Sequence, residues 1–351
     1  MRQFSRRDFL ALTSSGLVLP RRLLASPTPA PSEQKFLFIY VRGGWDTTMV
    51  FTPCFDYPLV DMEEDAELAE VSGVPFVHHA DRPAVQNFFE RFGRRACLIN
   101  GMEVRSITHE RCRRILMTGG SDGIADDWAV TLASQGDLEY PVPHLVLSGP
   151  AFAADHLSSV VRVGSSGQLS ALLDGSAVDA SDISVGLPSD SAQALAESYL
   201  DRRLQSRLET APAGRPQRVT SLYRDTLEDL GVLQDMIDSV NFAAEPAGCR
   251  RDLYSDASVA FNAFEQGLSR CAITQDDGWC STGWDTHAGN HTQSQSYNEL
   301  FEYLTQTMDD LDGRTSYSGG RLADEVTIVV LSELDRLSAG TAVSLKKHLL
   351  E

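Results

Sequence analysis

The chain is short of positive charge. Thirty lysines and arginines stand against 49 aspartates and glutamates, a formal net charge of −19 over 351 residues. Nucleic-acid binding wants a broad basic face, and this balance argues against one. It disfavours docking on an anionic membrane surface as well. Long apolar runs are also missing. A membrane-spanning helix needs about 20 consecutive apolar residues, so no transmembrane helix is expected in the mature chain. The six cysteines (Cys54, Cys97, Cys112, Cys249, Cys271 and Cys280) include no C-x-x-C pair, which argues against a zinc ribbon. There is no internal repeat. What remains is a chain with 42% hydrophobic residues, long enough to bury a sizeable core.

The first 30 residues differ in character from the rest. "SRRDFLALTSSGLVLP" pairs Arg6 with Arg7, then runs through Phe9 and Leu10 to a short apolar stretch. Small residues and prolines follow, with Ala25 and Ala30 as candidate cleavage points. The segment resembles a bacterial twin-arginine signal. The resemblance implies the twin-arginine export machinery as a partner and the periplasm or cell surface as the destination. An exported chain can carry disulfides. Cys271 and Cys280, the nearest pair in sequence, are the candidate bridge, and buried free thiols are the alternative for the others.

Beyond the signal, strands and helices alternate. "KFLFIYV", Lys35 to Val41, is almost continuously apolar. Strands covered on both faces read this way. "ACLING" (96–101), Val142 to Gly149, Ser158 to Gly164, "CAIT" (271–274) and Glu325 to Glu333 are the further expected strands. Helices are expected over Pro83 to Arg95, after Thr108, over 195–209, 220–237 and 256–270, and around Leu300, Leu304, Met308 and Leu311. Thr108 suits an N-cap, Glu110 the first turn, and Gly119 the stop. The pattern predicts an α/β fold: a largely parallel sheet covered by helices, with a helix-rich insertion over about 185–270.

In open α/β sheets, ligands gather outside the carboxyl ends of the strands. Three polar groups fall there: Asp46 after the first strand, Asp285 with His287 and His291 after "CAIT", and Ser332-Glu333 after the last. Alone, an Asp after a strand is more often a cap, and a loop His is more often structural. Together, carboxylates and imidazoles suit a divalent metal such as Zn²⁺ or Mn²⁺. Thr108, at a helix N-terminus beside His109, is a candidate nucleophile. Ser106 is a near alternative, and a plain N-cap is the simpler reading of Thr108.

These pieces resemble a known family. "FLFIYVRGGWD", "THERCRRILMTGG", "GWDTHAGN" and "VTIVVLSELDR", in this order behind a twin-arginine signal, are similar to the bacterial domain of unknown function 1501. The similarity spans roughly 35–336, and G-W-D-T-H is its most specific part. It implies an alkaline phosphatase-like fold of the sulfatase superfamily. It also implies a divalent metal (Zn²⁺, Mn²⁺ or Ca²⁺) and hydrolysis of a phosphate or sulfate ester. By residue, Asp46, Asp285, His287 and Glu333 would be metal ligands, with Thr108 as nucleophile and His109 beside it.

Two departures stand out. The family's S-E-F-G-R is "SELDR" here, and no G-x-D-H-G follows Arg336. A final ligand and one or more final strands are therefore expected to be missing, with 337–351 a divergent tail. An exported binding or cell-surface protein on the same scaffold, with an incomplete metal site, is the alternative to a hydrolase. The signal is directly testable. Replacing both Arg6 and Arg7 by Lys is expected to abolish export of the full chain, read as loss of the protein from the periplasmic fraction of a bacterial host.

Overall fold

A computed structural model describes residues 33–100, 104, 106–120, 125–136, 138, 140–163, 190–210, 252–279, 283–287 and 289–335. The twin-arginine segment, the expected helix over 220–237, Cys249, Cys280, Arg336 and the tail lie outside the described residues.

β1 (Lys35–Trp45) is an interior strand of the five-stranded sheet. Its partners are β6 (Cys271–Asp276) on one side and β7 (Val326–Asp335) on the other, both parallel. β4 (His144–Val146) pairs with β6, and β5 (Val160–Arg162) closes that side, giving the order β5-β4-β6-β1-β7. Every pairing in this sheet is parallel. A separate antiparallel hairpin joins β2 (Glu67–Val71) to β3 (Val74–His78).

The unbroken apolar run of β1 follows from helices on both faces. Leu37, Ile39 and Val41 point into one core, against α1 (Pro83–Phe92), α5 (Leu253–Glu265) and α6 (Gln293–Asp312). Phe38 and Tyr40 point into a second core with Leu116 and Met117 of α2 (His109–Thr118) and Ala129 and Ala133 of α3 (Trp128–Ser134). Side chains alternate along a strand, so a strand read by two layers must be apolar at every position. The fold is thus α/β with a parallel sheet between helical layers. Of the expected helix-rich insertion, α4 (Asp190–Thr210) and α5 are described.

Two expectations are corrected. Ala96 to Asn100 forms no strand. Ala96 and Leu98 still pack against the first core, but Ile99 is 71% exposed. A strand needs a neighbour for its backbone groups. The Ala96 N–H turns back to Gly93 O instead, at 3.1 Å. Cys271 is a buried free thiol, not half of a bridge to Cys280. It opens β6, paired with Phe36 and His144, and the strand carries the chain away from it. Cys97 and Cys112 are free thiols as well.

His144 is a titratable group in the core. Its side chain is fully buried in β4, and neither ring nitrogen has a hydrogen-bond partner of good geometry. Burial pulls its pKa down to about 4, and the Arg162 guanidinium pulls the same way. An unfolded His titrates near 6.5. Stability from the neutral ring is therefore complete above that value and lost as pH falls toward 4. Replacing His144 by Leu is expected to recover roughly 2–3 kcal/mol at pH 4 relative to pH 8, measured as the difference in urea unfolding midpoints at the two pH values.

Candidate functional site

The carboxyl ends of β1, β6 and β7 meet the N-terminus of α2, and His109, Asp285, His287 and Glu333 gather there. β1 ends in Arg42-Gly43-Gly44-Trp45-Asp46. The register of β1 against β7 shifts between Val41 and Gly44. Gly43 sits at φ +116°, where L side chains are strained. A Cβ there would lie 2.9 Å from the Asp285 nitrogen. The glycine thus lets the G-W-D-T-H loop come down onto the end of β1.

Within that loop the residues divide sharply. Trp284 is fully buried; its Nε1 donates to Asp276 Oδ2 at 3.1 Å, and its ring meets Tyr297 edge-on at 4.9 Å. Asp285 and His287, on either side of Thr286, face solvent. His287 Nε2 lies 3.2 Å from Asp285 Oδ2. From the other side, His109, the first residue of α2, brings Nε2 to 3.3 Å from the same oxygen. Its Nδ1 lies 2.6 Å from Glu333 Oε1. Glu333 is buried at the end of β7, where Gly43 N–H donates to Oε1 at 3.0 Å and the Tyr40 hydroxyl donates to Oε2. Burial, and then the bond to Glu333, holds the Tyr40 hydroxyl far above its usual range, so it stays a phenol donor.

His109, Asp285 and His287 each offer one ligand atom, all within 4.8 Å of one another. A tetrahedral ion with bonds of about 2.05 Å would set its ligand atoms about 3.3 Å apart. The two contacts at 3.3 and 3.2 Å match that spacing. Two imidazoles and one carboxylate suit Zn²⁺ or Mn²⁺ and not Ca²⁺, which prefers oxygen alone. The side chains of His109, Asp285 and His287 are 40, 41 and 74% exposed. Such a centre is open, as catalytic sites are and closed structural sites are not.

Asp46 is elsewhere. It is fully buried and caps the short 3-10 turn Thr47–Met49. One carboxylate oxygen accepts from Thr48 N and Oγ1 at 3.0 and 2.5 Å, the other from Asn290 Nδ2 at 2.7 Å. Burial raises its pKa, and those bonds oppose the rise. It anchors the loop from beneath and does not enter the His109 group. His291 also stays outside that group.

Thr108 occupies the N-cap of α2, but its hydroxyl makes no capping bond. It is exposed, with Oγ1 3.3 Å from Ser106 Oγ. No hydrogen bond among the described residues links it to the His109 group. Glu110 in the first turn and Gly119 at φ +72° complete the helix as the sequence suggests. An open depression beside Thr108 is lined by Glu110, Arg111 and Arg114.

No family model, no curated protein and no solved structure matches the chain.

Gln293 escaped the sequence reading. It is fully buried at the start of α6. Its Nε2 lies 2.8 Å from Gly44 O, 2.8 Å from Trp284 O and 2.9 Å from Thr286 Oγ1, and its Oε1 accepts from Asp46 N at 2.7 Å. Nearby, buried Arg82 donates to Met49 O and Ser294 Oγ, each at 3.0 Å, and pairs with Glu63 at 2.7 Å. Nothing in "HTQSQSY" marks the first Gln as internal. Replacing Gln293 by Leu is expected to cost about 3 kcal/mol or more, since several buried backbone groups lose their partner at once. Thermal unfolding checks this; a drop in Tm no larger than for an exposed Gln205→Leu control counts against it.

Proposed function

We propose that the protein is a metal-dependent hydrolase of phosphate or sulfate esters, of the alkaline phosphatase-like kind and similar to the domain of unknown function 1501. The observation that carries this reading is the meeting of His109, Asp285 and His287 at strand and helix ends, in an open set with metal-ligand spacing. The order of motifs from "RGGWD" to "SELDR" supports it. The twin-arginine segment supports an exported, periplasmic or cell-surface setting.

A bound Zn²⁺ or Mn²⁺ would lower the pKa of an attacking hydroxyl or water and neutralise charge on the transferring group. The chain's own residues supply the rest. Thr108 presents a hydroxyl that makes no capping bond and lies 3.3 Å from Ser106 Oγ, at the positive end of the α2 dipole. Arg111 and Arg114 bring cations to the adjoining depression, in a chain that is otherwise strongly acidic. Glu110 and the Phe152 ring steady the Arg114 guanidinium. That depression suits an anionic ester. Asp46 and Gln293 hold the two loops and take no part in bond making.

One observation favours a second reading. Thr108 makes no bond to the His109 group, which suits an exported protein that binds a metal or partner without catalysis. Metal analysis and turnover of aryl phosphates and sulfates separate the two. On the hydrolase reading the purified chain takes up Zn²⁺ or Mn²⁺ and turns over one ester class, and Asp285→Asn loses at least about 100-fold in kcat/KM. Metal uptake with no turnover of either class would leave the binding reading. No metal uptake and no turnover sinks the hydrolase.

A further inference from the structure

We infer that the centre holds a single ion through His109 Nε2, Asp285 and His287, and that Glu333 is not a ligand but the group that positions His109. This rests on the proposed metal centre, not on hydrolysis. The resemblance would make Glu333 a ligand; its surroundings say otherwise. Glu333 is 2% exposed, and three donors already surround its carboxylate: His109 Nδ1 and Gly43 N at Oε1, and the Tyr40 hydroxyl at Oε2. Little acceptor capacity is left to face an ion.

The same bonds decide how His109 is used. A carboxylate only accepts, so the 2.6 Å contact places the imidazole proton on Nδ1. In the neutral ring Nε2 then carries a lone pair, and it points at Asp285 Oδ2, 3.3 Å away. Two electron-rich atoms at that distance need a cation or a proton between them. His287 Nε2, 3.2 Å from the same oxygen, completes the set. A ligand histidine whose other nitrogen donates to a buried carboxylate is the usual outer arrangement of such centres. Tyr40 and Gly43 in turn fix the carboxylate. Because Tyr40 lies in β1 and Glu333 in β7, the parallel pairing of those strands sets the direction in which His109 presents Nε2.

The test uses the full chain with Zn²⁺ and Co²⁺ as probes. In the Zn²⁺-loaded protein, long-range ¹H–¹⁵N NMR is expected to show His109 protonated at Nδ1 and metal-bound at Nε2; the opposite tautomer overturns the inference. Glu333→Gln keeps the shape and removes the charge. It is expected to weaken Zn²⁺ affinity about 10–100-fold, while the Co²⁺ absorption bands keep their positions because the ligand set is unchanged. Unaltered affinity, or Co²⁺ bands that shift as a ligand is lost, overturns it. Tyr40→Phe, which leaves the carboxylate in place, is expected to weaken Zn²⁺ binding by a smaller factor, and it supplies the affinity readout if Glu333→Gln does not fold. Ester turnover is measured on the same samples. Zn²⁺ binding that depends on Glu333 without turnover overturns the hydrolase and supports this inference. Turnover with Zn²⁺ affinity indifferent to both substitutions does the reverse.

Discussion

One buried amide holds the site together. The Gln293 side chain, closed off from water at the start of α6, bonds the loop that leaves β1 and the loop that leaves β6. Loops ordinarily stay at the surface because their backbone groups need water. Here Asp46 N, Gly44 O and Trp284 O are taken inside, and a single amide, with one acceptor and two N–H groups, meets all three. Because both loops are tied to one rigid helix, Asp285 and His287 are held at a fixed place relative to the end of β1.

Around that tie, polar and apolar constraints reinforce each other. Trp284 is driven inward by its ring and kept there by the bond to Asp276, so its neighbour Asp285 must turn outward. Gly43 allows the close approach of the two loops and also donates its N–H to Glu333. Tyr297 packs against Trp284 and donates its hydroxyl to Asp46 O at 2.8 Å. Asp46, which sequence patterning places at the chemistry, stands one layer beneath it. Its carboxylate is consumed by Thr48 and Asn290. The Asn of G-W-D-T-H-A-G-N thus serves the anchor and not the opening.

Much of the frame was legible before any coordinates. The double-sided apolar runs of β1, β6 and β7 announced a covered parallel sheet, and the Thr108–Gly119 signals bounded α2. The placing of Asp285 and His287 past a strand end pointed to the corner of the fold where they meet His109. Other features were hidden for physical reasons. "ACLIN" has a strand's composition, yet composition says nothing of whether a neighbouring strand is present to take its backbone bonds. β7 pairs along one side only among the described residues, and its apolar stretch is left partly exposed. The β2–β3 hairpin carries too little apolar alternation to be seen. Gln293 and Arg82 look like ordinary surface residues, because a buried polar group is recognised by its partners and those lie far away in sequence.

The amino-acid sequence by itself determined the class of fold, the order of its layers and the residue types available for chemistry. Those follow from side-chain period, caps and glycines, which act over a few neighbours. Tertiary structure alone decided which residues stand together. It drew His109 from a helix start to Asp285 and His287, withdrew Asp46 into the core, and surrounded Glu333 with three donors. Each of those outcomes depends on distances of about 3 Å between residues more than 170 positions apart in sequence. Local pattern carries no record of such distances; they are set when parallel strands fall into register and the loops beyond them must satisfy every buried polar group.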